Sequence, residues 1–143
     1  AHDCKIGDNV IMVNNASLAG HVILEDFAIM GALSGAHQFC RIGKHSMIGG
    51  LSGVDSDVIP YGTVIGNRAY LSGLNIIGLK RKGVERSDIT ALREAFQTLA
   101  QGEGTFQERA KRLGEDKTSE YVDAIANFIL GSSDRSFLTP GDF

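Results

Sequence analysis

Written in sixes, residues 6–59 read IGDNVI, MVNNAS, LAGHVI, LEDFAI, MGALSG, AHQFCR, IGKHSM, IGGLSG, VDSDVI. The first place of each hexad is apolar (Ile6, Met12, Leu18, Leu24, Met30, Ala36, Ile42, Ile48, Val54). The fifth is small (Val10, Ala16, Val22, Ala28, Ser34, Cys40, Ser46, Ser52, Val58). A period of six held in phase over so many units fits neither an α-helix nor a flat strand. It is the pattern of a parallel β-helix built from hexapeptides. Three hexads then close one triangular coil, so residues 18 apart stack. The first and fifth places point inward, and the second to fourth form the turns and outer surface. The 18 glycines are expected at tight corners that need left-handed backbone.

At 143 residues, 43% hydrophobic and net charge −3, the composition is that of an ordinary globular protein, and nothing in it points to a nucleic-acid partner. No apolar run approaches the roughly 20 residues of a transmembrane segment, and no stretch resembles a cleavable signal. The chain opens on Ala1 in mid-repeat, whereas terminal repeats need a polar cover. The expectation is the C-terminal part of a longer protein. Cys4 and Cys40 both fall on the small ladder, two coils apart. That is about 9.6 Å at the strand spacing, beyond the reach of a disulfide. Two small core thiols and a cytoplasmic, reducing location are expected.

The ladder decays after Val64, which divides the chain into a β-helix over 1–74 and a basic linker with a helical domain over 75–143. GNRAYLSGLNIIGLKRKGVER (66–86) reads as a closing coil and basic linker. Beyond it the period becomes helical. Ser87 is a candidate cap for a helix burying Ile89, Leu92, Phe96 and Leu99, broken by Gly102 and Gly104. Thr105 and Glu108 form a capping box for a second helix reaching Leu113. A third runs from about Thr118 to Gly131 with Val122, Ile125 and Ile129 inward, and the last dozen residues read as a tail.

The 18-residue coil sorts the histidines. His2, His21 and His37 fall at remainders 2, 3 and 1, with Asp3 and Gln38 in the same column, while His45 falls on another corner. Exposed corners collect polar side chains for no chemical reason, and clustered histidines also suit zinc. The column has no cysteine, however, and only one well-placed carboxylate. General-base chemistry fits better: an imidazole titrates near neutrality and can take a proton from a hydroxyl, with Asp3 orienting the ring. Ser56 lies near the column's end without an elbow motif, so direct transfer is favoured over a covalent intermediate. Asn14, Ala32 and Gly50 form a second column whose small side chains leave a furrow, either to relieve crowding or to take an apolar chain. Lys80, Arg81, Lys82 and Arg86 are either solvated or recognise an anion, a pyrophosphate or an acidic carrier protein. No P-loop or dinucleotide fingerprint is present.

AHDC (1–4), NNASLAGHV (14–22), AHQFCRIG (36–43), GNRAYLSGLNIIGLKRKG (66–83) and ITALREAF (89–96) together resemble the UDP-N-acetylglucosamine acyltransferases of lipid A biosynthesis. The resemblance implies a cytoplasmic homotrimer of left-handed β-helices, each followed by a small helical domain, with sites between subunits. It implies transfer of a 3-hydroxyacyl group from acyl carrier protein to the 3-position of the UDP-sugar, with no metal and no cofactor beyond the carrier thioester. It makes His2 the general base with Asp3 its partner, gives the oxyanion to the Ala32 amide, and makes His21, His37 and Gln38 substrate-binding. Asn75, Arg81 and Lys82 would meet the nucleotide, and Gly50 would leave the acyl groove open. Ile77 stands where Glu is common, Arg68 where His is common and Lys82 where Arg is common; the last loses a bidentate fork. A UDP-sugar N-acyltransferase of the same pathway and a non-catalytic trimeric scaffold are the competing readings.

Overall fold

A computed structural model describes residues 1–141, which form two compact units. The first comprises residues 1–75 with the segment from Ser133 onward, and the second is Ile76–Ser132.

The first unit is built on nine two-residue strands: β1 (Lys5–Ile6), β2 (Ile11–Met12), β3 (Ser17–Leu18), β4 (Ile23–Leu24), β5 (Ile29–Met30), β6 (Gly35–Ala36), β7 (Arg41–Ile42), β8 (Met47–Ile48) and β9 (Gly53–Val54). Strands β1 to β6 each pair in parallel with the strand 18 residues on. Lys5 lies against Ile23 and Ile23 against Arg41; Ile11, Ile29 and Met47 repeat this on the next face, and Ser17, Gly35 and Gly53 on the third. The six-residue ladder is therefore a coil of three hexads. Its first-place residues make the core: Leu24, Met30, Ile42, Ile48 and Val54 are at most 2% exposed, whereas Ile6 and Met12 in the first coil are 49% and 42% exposed.

The corners correct the expectation about glycine. The left-handed position of each turn is held by Asp3, Asn9, Asn15, His21, Phe27, Leu33, Phe39, His45, Leu51 and Tyr61, with φ between 55° and 66°, and by no glycine. Such a conformation costs a residue with a Cβ about 1–2 kcal/mol. Here each coil offsets that cost with a bond to the coil before: His21 N–H donates to the His2 carbonyl at 3.0 Å, Phe39 N–H to Gly20 at 3.0 Å and Leu51 N–H to Ala32 at 2.9 Å. Stacked side chains add to it, as in the Phe27–His45 pair at 4.6 Å. Glycine serves close approach instead. A Cβ at Gly31 would stand 2.6 Å from the Gly50 nitrogen and the Ile48 carbonyl of the next coil.

The ladder also slips earlier than its letters indicate. Val58 was expected in a small fifth place, but it pairs with Ile42, sixteen residues back. The 18-residue register would put Pro60 there, and proline cannot donate to a ladder; Val58 N–H does, to Arg41 at 2.9 Å. The shortened register continues in β10 (Gly62–Ile65), where Thr63 faces Met47. The chain then turns back as β11 (Tyr70–Leu74), antiparallel to β10, so this stretch is a hairpin and not a closing coil.

The slip draws Asp57 inside, fully buried. Its carboxylate accepts from Arg41 N–H and Arg41 Nε, each at 2.8 Å, and from the Ser133 hydroxyl. Its backbone clamps the chain's end: Asp57 N–H donates to Ser136 at 2.7 Å, and Leu138 N–H donates to Asp57 at 2.8 Å. The stretch expected as a tail runs along the β-helix as far as Pro140, which bridges Leu71.

The second unit holds α1 (Ile76–Arg81), α2 (Arg86–Gln101), α3 (Phe106–Asp116) and α4 (Glu120–Leu130). The basic run is thus partly helical, with Lys80 and Arg81 in the last turn of α1. Ile89, Leu92, Phe96 and Leu99 are buried on α2 as their period predicts. Ser87 is not the cap, because α2 begins one residue earlier behind Glu85, which makes no side-chain cap bond. The capping box at Thr105 and Glu108 is complete. Ser119, one residue past Thr118, caps α4, where Val122, Ile125 and Ile129 are buried.

Both cysteines are free, Cys40 buried and Cys4 half-buried. Burial pushes the Cys40 thiol up to about 11. At neutral pH its thiolate fraction is then about 10⁻⁴. Iodoacetamide should leave Cys40 unmodified in the native protein and alkylate it once the protein is unfolded, read by peptide mass; rapid native alkylation would show that the coil opens.

Candidate active site

One corner of the coil carries His2 and Asp3 in the first turn, Gly20 and His21 in the second, and Gln38 and Phe39 in the third. His2 Nδ1 lies 2.9 Å from Asp3 Oδ2, and His21 Nε2 is 4.0 Å from the same oxygen. The His2 and His21 rings meet edge to face with centroids 5.1 Å apart. His21 in turn stacks flat on Phe39 at 4.6 Å. Gly20 makes this possible: a Cβ there would be 2.7 Å from the His2 ring. The His2 and Asp3 side chains are 72% and 67% exposed, so the pair is open to an incoming molecule.

A carboxylate can only accept, so the Asp3 bond places a proton on His2 Nδ1; in the neutral imidazole Nε2 then carries the lone pair, the arrangement of a base held by a carboxylate. The ligating atoms of His2, Asp3 and His21 lie within 4.8 Å of one another, and by composition this set could also take a divalent ion.

His37 has a different environment from the other two imidazoles. Its Nδ1 is bonded to the Arg135 guanidinium, which also donates from Nε to the Gln38 carbonyl at 2.9 Å. A groove of about 550 Å³ runs beside it over β3, β6 and β9, with Leu18, Ala36, Val54, Asn67 and Arg68 in its walls.

Ala32 and Gly50 stack on another corner: a Gly50 Cβ would meet the Ala32 carbonyl at 3.2 Å. Leu33 and Leu51 flank them, 58% and 69% exposed, so the furrow has apolar sides. Within one chain the Ala32 amide does not share a corner with His2, whereas Gly20 does. On the remaining corner His45 sits between Phe27 and Tyr61, at 4.6 and 5.8 Å. Asn75 Nδ2 donates to the His45 carbonyl at 3.1 Å. Arg81 and Lys82 are exposed in the second unit.

Sequence reasoning missed two residues of the corner. Gly20 was readable, because it stacks 18 after His2 and a bulky ring needs a small neighbour. Arg135 gave no local signal, since its place depends on the chain's end returning to Asp57. Among the described residues, no helix is long and apolar enough to cross a membrane.

Comparison with known proteins gives a consistent result. Residues 57–138 match the family described as UDP-N-acetylglucosamine O-acyltransferase, domain 2. The chain is 54% identical over 140 residues to the acyl-[acyl-carrier-protein]–UDP-N-acetylglucosamine O-acyltransferase of Paracoccus denitrificans, covering 98% of this chain and 53% of that one. It is 43% identical to the Agrobacterium fabrum enzyme of the same name, covering 98% and 52%. Among solved structures, the UDP-N-acetylglucosamine acyltransferase of Campylobacter jejuni superposes with a TM-score of 0.91 at 39% identity, over 99% of this chain and 55% of that one. The Arabidopsis protein gives 0.89 at 40% identity, over 97% and 52%. The chain thus spans about half the length of the relatives it matches.

Proposed function

Since the chain belongs to the UDP-N-acetylglucosamine O-acyltransferase family and has its left-handed parallel β-helix followed by helices, we propose that it carries the acid–base centre of an acyltransferase. The reaction moves a 3-hydroxyacyl chain from acyl carrier protein to the 3-position of UDP-N-acetylglucosamine, the first step of lipid A biosynthesis. The observation that carries this reading is the His2–Asp3 bond, 2.9 Å long, beside His21 on an open corner.

In this reading His2 Nε2 takes the proton of the sugar 3-hydroxyl as its oxygen attacks the thioester carbonyl. Asp3 stabilises the imidazolium that forms. Collapse of the tetrahedral intermediate breaks the C–S bond, and the departing carrier thiolate takes the proton back from Nε2, leaving an ester and a free thiol. The Gly20 amide replaces Ala32 as the oxyanion's backbone donor, because it lies on the corner of His2. His21, His37 and Gln38 bind the sugar, and Asn75, Arg81 and Lys82 meet the nucleotide. The Ala32–Gly50 furrow between Leu33 and Leu51 takes the acyl chain. The thioester supplies the activated acyl group, so no metal or cofactor enters the reaction. The working form is a cytoplasmic homotrimer; the exposed apolar Leu33, Leu51, Phe27 and Phe39 support its association with further copies of the chain.

The test is to incubate the full-length protein with 3-hydroxyacyl carrier proteins of several lengths and UDP-N-acetylglucosamine or its 3-amino analogue. The expected product is the UDP-sugar heavier by one 3-hydroxyacyl group and cleaved by mild base, as an ester is. An amide formed only on the amino analogue would move the protein to N-acylation, and no product from any pair would leave the scaffold reading.

Gly20→Ala gives a sharper check on the corner. The added methyl must displace the His2 ring, and a misplacement of about 1 Å costs roughly 10²-fold in rate. Turnover should fall by that order with an unchanged circular dichroism spectrum; wild-type turnover would show that the ring position is not critical.

A further inference from the structure

We propose that Arg135 is a positioning residue for His37, fixing its proton on Nε2 so that this imidazole acts as a hydrogen-bond donor where His2 acts as a base. The inference rests on the site reading above and adds a residue to it.

The two rings face opposite partners. His2 Nδ1 meets a carboxylate, which only accepts, so its proton sits on Nδ1. His37 Nδ1 meets a guanidinium, which only donates, so Nδ1 must be the acceptor and the proton goes to Nε2. An imidazolium carries protons on both nitrogens and cannot make the Arg135 bond. One corner therefore presents a lone pair at His2 Nε2, when that ring is neutral, and an N–H at His37 Nε2. A polar substrate with a hydroxyl to deprotonate and an acceptor oxygen to anchor would use both.

Arg135 is not held by a flexible tail. Its own N–H donates to Ser133 Oγ at 3.1 Å, and the Ser133 hydroxyl in turn donates to buried Asp57. The bridge between Asp57 and Phe137 fixes the chain two residues beyond it. The guanidinium spans two consecutive residues of the turn, the His37 ring and the Gln38 carbonyl. The buried carboxylate of Asp57 is already paired with Arg41. A segment ninety-eight residues away in sequence thus sets the hydrogen-bonding sense of a ring in the site. Lysine offers a single point of donation and could serve one of these two acceptors, but not both in this geometry.

The test uses full-length protein labelled with ¹⁵N-histidine. The ring resonances of His37 are assigned by their loss in His37→Gln, and the wild type is compared with Arg135→Ala and Arg135→Lys above the titration range of imidazole. Expected for the wild type are a pyridine-like Nδ1 and a pyrrole-like Nε2, the reverse of His2. In Arg135→Ala the His37 pattern should average between tautomers. The KM for the UDP-sugar should rise several-fold, because the His37 N–H is then neither fixed on Nε2 nor held in place, with kcat changed less. Arg135→Lys should recover part of both effects. A His37 pattern in the wild type like that of His2, or one unaltered by Arg135→Ala, would overturn the proposal. So would an altered pattern with unaltered KM. Failure of the function itself appears separately, as a wild type that transfers no acyl group, and the resonances still decide whether Arg135 sets the tautomer.

Discussion

His2→Ala in the full-length protein should lower acyl-transfer turnover by about 10²- to 10⁴-fold, the contribution expected of a positioned general base, while the unfolding midpoint stays close to that of the wild type. The separation of the two effects follows from geometry. The ring is 72% exposed and its partner carboxylate 67% exposed, so little packing is lost, and exposed substitutions of this kind usually change stability by less than about 0.5 kcal/mol. What is lost is an imidazole whose Nδ1 is held by a carboxylate. The KM for the UDP-sugar should change far less than kcat, since a base acts in the transition state and adds little to ground-state binding. Steady-state kinetics with a fixed acyl donor would show this. A variant that turns over at the wild-type rate would remove His2 from the chemistry.

Asp57→Ala should lower stability by about 3–5 kcal/mol, as expected when one partner of a buried ion pair is deleted. The carboxylate is wholly buried and holds three donors: Arg41 N–H, the Arg41 guanidinium and the Ser133 hydroxyl. Without it, Arg41, whose side chain is 15% exposed, loses the buried carboxylate that meets both its backbone N–H and its guanidinium. The two backbone bonds between Asp57 and the returning segment then lose the side chain that anchors their turn. Urea denaturation would measure the loss. The double variant Arg41→Leu with Asp57→Leu should recover a substantial part of it, because an apolar pair of similar volume often replaces a buried ion pair at little cost. A single variant as stable as the wild type would mean that the clamp contributes nothing.

The repeat was legible because its physics is local. An inward first place and a small fifth place recur wherever three hexads close a coil, and the 18-residue register between Lys5, Ile23 and Arg41 follows. The neighbours His2, Asp3 and His21 came from the same arithmetic. Two kinds of feature escaped it. The left-handed corners carry Phe27, Leu33 and Leu51, residues whose propensities argue against φ > 0; bonds and stacking between coils override that preference. The slip at Asp57 could have been read from Pro60, which breaks the apolar ladder at its next step. The return of residues 133–140 could not, because it joins segments about eighty residues apart through backbone bonds and one buried carboxylate that no local pattern announces. Arg135 was invisible for that reason, although it touches two residues that the column had already singled out.

A crystal structure of the full-length protein with UDP-N-acetylglucosamine bound is the most direct measurement. Direct transfer by His2 requires the sugar 3-oxygen within hydrogen-bond reach of His2 Nε2, about 2.6–3.2 Å, with Asp3 still on Nδ1. A sugar seated on another corner of the coil, its 3-oxygen out of reach of this imidazole and of any water bound to it, would contradict the assignment of the base.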